Sequence, residues 1–570
     1  MKIKTIFGLT LAAASLAACS VEDQDDSTAK VKEDYTRGFV KEFGTINANQ
    51  DWSVVEQKQV TVKTATASDV KIYEKQAGEY RLAAHYANVQ GSKTITFDGL
   101  EGDDTPFIVS VDGNLMAAAN GETVDCSGAT AQAKGVKRAA VYPGNSPVQR
   151  NSSAEQITLS TDDNIMETLS SDGENHTKTV TVAGTGYVEV LTGGESVSFY
   201  PMYWNSANTH TLGIYYYDNV TGKRTEIDIY KDHDSEDMAF YANQTAASWG
   251  TSNYHYTEAG QTNCWHYDAT RTWDHSNGHW TAKYFTGFKF YSHAYTVTPS
   301  QSVVCGLYVK VNGNTYYSQP ELNDDKQAHF AYRTIGSGSD AYTYLCFDDP
   351  DTDDGDYNDL VFYSPRTIAP VSANDIAWTV ACEDLGGTFD YDFNDLVFRV
   401  SHISGNTYAT IVPLAAGGTL PATLYYGETA ISKEWHQHFG NGYESNQMIN
   451  TGGTSEDVVT PIQINGLPTD WSMKAFTSTD GGLKIKVDRT DGLQTSVTAP
   501  SKGEAPQMLV LPYEWQWPIE LTRITLAYPD FGQWGENYTN SGWVSNSVSD
   551  NLMPAITTLN VKDTWTVSVK

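Results

Sequence analysis

Cysteine is scarce in this chain: six in 570 residues, with no C-x-x-C pair among them. A structural zinc centre needs closely spaced Cys or His ligands, and a disulfide scaffold needs cysteines in dense, even sets, so neither is indicated. Positive charge is also short, with 37 Lys and Arg against 70 Asp and Glu and a net charge of -33. Phosphate backbones bind clustered cations, so this balance excludes nucleic acid as a partner and argues against docking on anionic lipid through protein charge. Long apolar runs are missing beyond the first nineteen residues: nothing there approaches the roughly 20 apolar residues of a membrane-spanning helix. Hydrolase and nucleotide signatures are missing as well, with no H-E-x-x-H, G-x-S-x-G or P-loop. No catalytic residue is assigned and the chain is read as a non-enzyme. Glycoside cleavage by two acids distant in sequence is the last-ranked alternative.

What the chain does have is 40% hydrophobic residues and 12% aromatics, led by 35 Tyr. That supports buried cores and pleated, half-exposed β surface. The length implies two to four folding units.

At the N-terminus, Met1 to Lys4 is basic and Ile6 to Leu16 is a short apolar stretch closed by small residues, the pattern of a signal peptide. Ser15-Leu16-Ala17-Ala18-Cys19 resembles the bacterial lipobox. The resemblance implies cleavage before Cys19, a lipid on its sulfur, and the membrane as a partner through that lipid. Residues 20–29 read as an acidic, flexible tether. Acids directly after such a Cys resemble the export signal of surface lipoproteins in Bacteroidota-type bacteria, which implies an outer-membrane protein exposed at the cell surface. The other five cysteines are expected to be mostly buried free thiols.

Residues 34–44 carry Tyr35, Phe39, Val40 and Phe43 at helical spacing and predict a short helix. No later segment reads as a long helix. Short period-two strands separated by Gly, Asp and Ser predict an all-β chain of several β-sandwich or jelly-roll-like domains in tandem. The expected division is a signal peptide over 1–18, a tether over 19–34 and an N-terminal β-sandwich over 35–126. A loop or linker over 127–176, a middle β domain over 177–366 and a C-terminal β domain over 367–570 follow.

Two segments match each other: Phe347 to Phe362 and Cys382 to Phe398 both end in D-x-D-[YF]-N-D-L-V-F, 36 residues apart from Asp359 to Asp395. Asp354, Asp356 and Asn358 take alternate positions in the first copy, as do Asp390, Asp392 and Asn394 in the second. In a tight loop, oxygens at alternate positions converge on one cation, and an all-oxygen set suits calcium over a transition metal. Asp359 and Asp395 could complete each shell, with Asp349 and Asp384 reaching in from the preceding turn. Seven Asp between Asp348 and Asp359 repel one another unless neutralised. The loops lack the EF-hand Gly and terminal Glu, so they are not EF-hands. The competing reading is a solvated turn whose Asp and Asn bond to local backbone donors.

From Trp378 to Gly386 and through Asp392 to Phe398 the chain resembles the LruC-domain lipoproteins of Bacteroidota. The strings His438-Phe439-Gly440, Met448 to Gly452 and Ile524 to Phe531, with Trp534, extend the match. Gly306 to Val309 and Tyr317 to Asn323 with the first motif resemble a second β domain of secreted bacterial proteins, and Phe39 to Trp52 resembles the opening of members of the LruC group. The resemblance covers roughly residues 280–550 and implies an envelope lipoprotein, with no enzymatic activity to carry over. It also implies that one acidic motif closes the middle domain and the other opens the C-terminal one. Adhesion or ligand binding at the envelope is the expected role.

Aromatics crowd one further segment, including Trp265, Trp273, Trp280 and Tyr284. Exposed, they would stack on sugar rings and make the chain a glycan-binding accessory protein; buried, they are strand-face core. The later Trp515, Trp517, Trp534 and Trp543 are expected to pack in a core.

Overall fold

The computed structural model describes residues 19–127, 148–150, 155–159, 181–182, 188–191, 195–203, 208–217, 224–231, 265–269, 272–274, 279–281, 285–299, 302–335, 341–350, 355, 357, 359–365, 371–386, 389–479, 482–554 and 559–569. The signal peptide and most of the expected 127–176 linker lie outside them. Apart from one long helix and several short ones, the described chain is built of strands in several separate sheets, the all-β architecture expected.

The long helix is the first departure. α1 runs from Cys19 to Phe43 over 25 residues, through the segment expected to be a flexible tether, in a chain expected to hold no long helix. Apolar spacing marks only its last turns. The rest is polar and mostly charged, with Glu22, Asp23, Asp25 and Asp26 towards its start and Lys41 in the last turn, on the favourable side of the helix dipole. Gly44, at φ +92°, ends it, with its N–H on the Val40 carbonyl. Tyr35 and Phe39, one turn apart, are fully buried.

A hairpin of two 22-residue strands follows, β1 (Val55–Gln76) and β2 (Glu79–Leu100). β3 (Phe107–Val111) pairs with the second half of β1, and β5 (Thr123–Cys126) with its first half, β4 (Asn114–Ala118) lying outside β3. The Val371–Asp375 strand adds to the far edge of β2. This N-terminal unit shares its core with the C-terminal one. Tyr35, Phe39, Trp52 and the β1 and β2 residues belong to one contiguous core with Tyr391, Phe531 and Trp534. Backbone bonds tie the same units: Val54 N–H to Val510 O and Val510 N–H to Trp52 O, each 3.0 Å.

Between them, a seven-stranded and a five-stranded sheet share a second core. In the five-stranded sheet, Gly213 faces Tyr308 and Tyr215 faces Gly306 across the Thr211–Tyr217 and Val303–Val311 strands. Each buried tyrosine ring lies over the glycine opposite, in space a side chain would otherwise take. The C-terminal unit centres on a six-stranded sheet ordered Met508–Pro512, Ala377–Cys382, Leu396–Ser401, Tyr408–Ala415, Ile462–Asn465, Trp565–Ser568.

Both acidic motifs occupy the same place in their units. The first joins the antiparallel neighbours Tyr342–Phe347 and Leu360–Ser364, and the second joins Ala377–Cys382 and Leu396–Ser401. The shared Leu-Val-Phe strings are buried strand starts that anchor each loop. Cys305, Cys346 and Cys382 are buried, and Cys126 is half-buried.

A Cβ on Gly306 would stand 2.3 Å from Tyr215 Cζ. Gly306→Ala is therefore expected to cost about 1–3 kcal/mol through overpacking, seen as a lower calorimetric transition; an unchanged transition contradicts the packing described.

Candidate metal centre

The second acidic loop starts where the Ala377–Cys382 strand ends. Glu383 turns back inside it, and its Oε1 accepts from Phe393 N–H at 2.8 Å. Asp395 Oδ2 accepts from Asp384 N–H at 2.8 Å and closes the loop's base. Leu385, Tyr391 and Phe393 all sit at positive φ, between 55° and 57°. Bulky residues there cost roughly 1–2 kcal/mol each. Burial of the three side chains offsets that strain. The turn from Tyr391 to Phe393 brings Asp390 and Asp392 to the same side, where a carboxylate oxygen from each lies within 4.8 Å of one from Glu383.

Two further residues adjoin this group, Asn394 through its N–H on Asp392 Oδ1 and Glu520 through charge repulsion with Asp390 and Asp392. Asn394, fully buried, donates from Nδ2 to Pro518 O at 3.1 Å, while its Oδ1 is buried with no partner. Glu520 Oε2 is likewise buried and unpartnered. A Cβ on Gly417 would stand 2.1 Å from Asn394 Oδ1 and 2.8 Å from Glu520 Oε2, so the two oxygens are at most 4.9 Å apart. On neighbouring Gly418 a Cβ would meet Asp384 Oδ2 at 2.8 Å and Asp395 Oδ1 at 3.2 Å. Gly417 and Gly418 thus let the backbone pass between carboxyl groups that any side chain would displace. Asp392 Oδ2 accepts from Leu521 N–H at 2.9 Å, joining the loop to the Glu520 segment.

Among the described residues, no ion pair involves Glu383, Asp384, Asp390, Asp392, Asp395 or Glu520. Their protons are held accordingly. Burial, with repulsion from Asp390 and Glu520, pushes Asp392 up to about 8. Burial and Asp390 push Glu520 up to about 7. Glu383 is driven well above the carboxylate range by burial and then by Asp392 and Asp390, and Asp395 by burial and then by Asp384 and Glu383. Burial raises Asp384 and Asp390 too.

The first loop repeats the scaffold. Asp359 Oδ2 accepts from Asp349 N–H at 2.6 Å and Asp348 Oδ1 from Tyr357 N–H at 3.4 Å, matching the Asp395 and Glu383 bonds. Gly355 and Tyr357 have positive φ where Tyr391 and Phe393 do. Asp349 is engaged differently from its counterpart: Asn208 Nδ2 at 2.8 Å and His210 Nε2 at 3.0 Å both contact its Oδ2, inside the core. Burial raises Asp359 to about 7. Asp354, Asp356 and Asn358 lie outside the described residues.

Of the residues singled out by sequence, Asp390 and Asp392 lie together with Glu383, and Asn394 adjoins them with its N–H on Asp392 Oδ1 at 3.3 Å. Asp384 and Asp395 border the same place, each with one oxygen committed to loop backbone. Sequence reasoning passed over Glu383 as a ligand, although an acid precedes the motif in both copies. Glu520 lies 125 residues beyond Asp395 and carries no local signal. Trp273 and Trp280 are partners across a short hairpin, and Trp265 starts a strand of a different sheet. Tyr284 lies outside the described residues. Trp515, Trp517, Trp534 and Trp543 are core, as expected.

No protein-family model matches the chain, so the LruC resemblance rests on the motifs quoted above, and no curated protein matches. Among solved structures the chain is similar to a Bacteroides ovatus protein described as a lipoprotein, at 15% identity and TM-score 0.18, over 44% of this chain and 90% of that one. A likeness at that TM-score carries no argument about fold or activity.

Acids protonated in the fold near neutrality, but ionised above about pH 4 when unfolded, leave the unfolded state with fewer protons. Stability then falls as pH rises. The metal-free protein is expected to melt lower at about pH 8.5 than at about pH 5, and Asp392→Asn is expected to flatten the slope. A melting temperature that climbs over this range contradicts the electrostatics described.

Proposed function

We propose that this chain is a lipid-anchored protein of the cell envelope, exposed at the surface, that uses calcium as a structural ion and acts in adhesion or ligand binding. The observation that supports the cation most is the oxygen set of the second loop: carboxylate oxygens of Glu383, Asp390 and Asp392 converge with no ion pair, and the adjoining Asn394 Oδ1 and Glu520 Oε2 are buried without a partner. Calcium binds oxygen at about 2.3–2.6 Å, so ligands on opposite sides of one ion stand about 4.6–5.2 Å apart. The three carboxylate oxygens, all within 4.8 Å of one another, are close enough for one ion to reach. An all-oxygen set favours calcium over softer metals. The first loop, with its matching backbone bonds, takes a second ion through Asp354, Asp356 and Asn358. The lipobox-like string ending at Cys19 and the acids after it support envelope attachment. Among the described residues no helix is long and apolar enough to cross a membrane.

An ion that binds only the fold stabilises it by about 2.7 kcal/mol at a hundred times its dissociation constant. Chelation with EDTA is expected to lower the melting temperature and excess calcium to restore it, and Asp356→Ala combined with Asp392→Ala to remove the response. A melt indifferent to EDTA and calcium rules out the calcium reading.

A further inference from the structure

The oxygens of the second loop are not confined to the repeated motif. Asn394 is fully buried, and its Oδ1 has no hydrogen-bond partner although the amide's other end is fixed on Pro518 O. Glu520 Oε2, at most 4.9 Å from it, is also without a partner. Buried polar atoms are nearly always satisfied, so two orphans close to each other, on residues tied to Asp392 by a hydrogen bond and by charge, point to a ligand they share. Glu520 belongs to another part of the chain, fixed to the loop by Leu521 N–H on Asp392 Oδ2 and Ile524 N–H on Tyr391 O.

Tyr391 connects this place to α1. It lies between Asp390 and Asp392; its OH donates to Tyr35 O at 3.1 Å, and its ring contacts Tyr35, Phe39 and Phe43 with centroids 5.1–5.8 Å away. Its hydroxyl also fills the space beside Gly38, where a Cβ would stand 2.2 Å from the oxygen. A loop pushed open by its own charges cannot keep Tyr391 in that seat.

We propose that Glu520 and Asn394 Oδ1 complete the coordination shell begun by Glu383, Asp390 and Asp392, so that one calcium-sized divalent cation clamps the loop to the 519–524 segment and holds α1 against the C-terminal unit. The proposal rests on the calcium reading of the second loop. It makes the bound ion a tie between the C-terminal sheet and the helix that begins at Cys19.

The test uses the full chain in an Asp356→Ala background, which silences the first loop, with calcium chloride as the probe. Calorimetric titration is expected to show one calcium bound, at least about tenfold more weakly in Glu520→Gln, with Glu520→Asp in between. Because Glu520→Gln also removes a repelling charge, it is expected to melt above its parent in EDTA and below it in calcium. A residue that only fills space would not reverse the order. Hydrogen exchange over residues 35–43 is expected to slow on adding calcium to the parent, and not to change in Glu520→Gln. Equal calcium affinity in the parent and Glu520→Gln overturns this shell while leaving the calcium reading in place; no binding by the parent overturns both. Binding without slowed exchange over 35–43 overturns the tie to α1.

Discussion

Glu383, Asp390 and Asp392 bring three carboxyl groups together, with Glu520 near enough to repel two of them, on the loop that also presents Tyr391 and Phe393 to α1 and Phe531. Two full charges no more than 4.8 Å apart repel by at least about 3 kcal/mol at an effective dielectric near 20. That exceeds the roughly 1–2 kcal/mol of strain at each left-handed aromatic, and a few such pairs rival the 5–15 kcal/mol that holds a domain folded. The loop therefore persists only with its charge removed, by protons or by a cation. The raised carboxyl groups keep protons into the neutral range, and at higher pH the repulsion returns. The rings that close over the loop and the charge inside it form one mechanical unit.

The two copies separate what the motif specifies from what surrounds it. In both, an aspartate at the end of the motif caps the backbone of the acid pair before it, and residues at matching positions turn left-handed. D-x-D-[YF]-N-D thus encodes a shape for a strand-to-strand connection. The more distant partners diverge: His210 and Asn208 face Asp349 in the middle unit, whereas Gly417, Gly418 and Glu520 surround the second loop. The same local fold is embedded in two electrostatic settings.

Much of this was legible in the sequence, because it depends on short-range pattern. Period-two strands, the paired motifs and the buried Leu-Val-Phe strings after them are local signals, and the all-β class and the nearness of Asp390 to Asp392 followed from them. What stayed hidden depends on long-range contact. Glu520 has no neighbours in sequence that mark it, and only folding brings it to Gly417. The shared core of the N- and C-terminal units was equally hidden, since Tyr35, Phe39 and Trp52 read as an ordinary apolar face until Tyr391 and Phe531 supply the opposite side. α1 was underread because its first half carries charge order rather than apolar spacing. The chemistry of the aromatic segment around Trp273 and Trp280 depends on which faces its strands cover, and period alone does not determine that.

The central claim is that one hard cation neutralises the second loop using residues from both ends of the C-terminal unit. Anomalous diffraction from crystals of the full chain grown with calcium tests it most directly. The account predicts an anomalous peak within about 2.3–2.6 Å of oxygens from Glu383, Asp390, Asp392, Asn394 and Glu520, with Tyr391 still against Tyr35 and Phe39. Density showing no metal there, with Asn394 Oδ1 and Glu520 bonded instead to water or a neighbouring side chain, would contradict it.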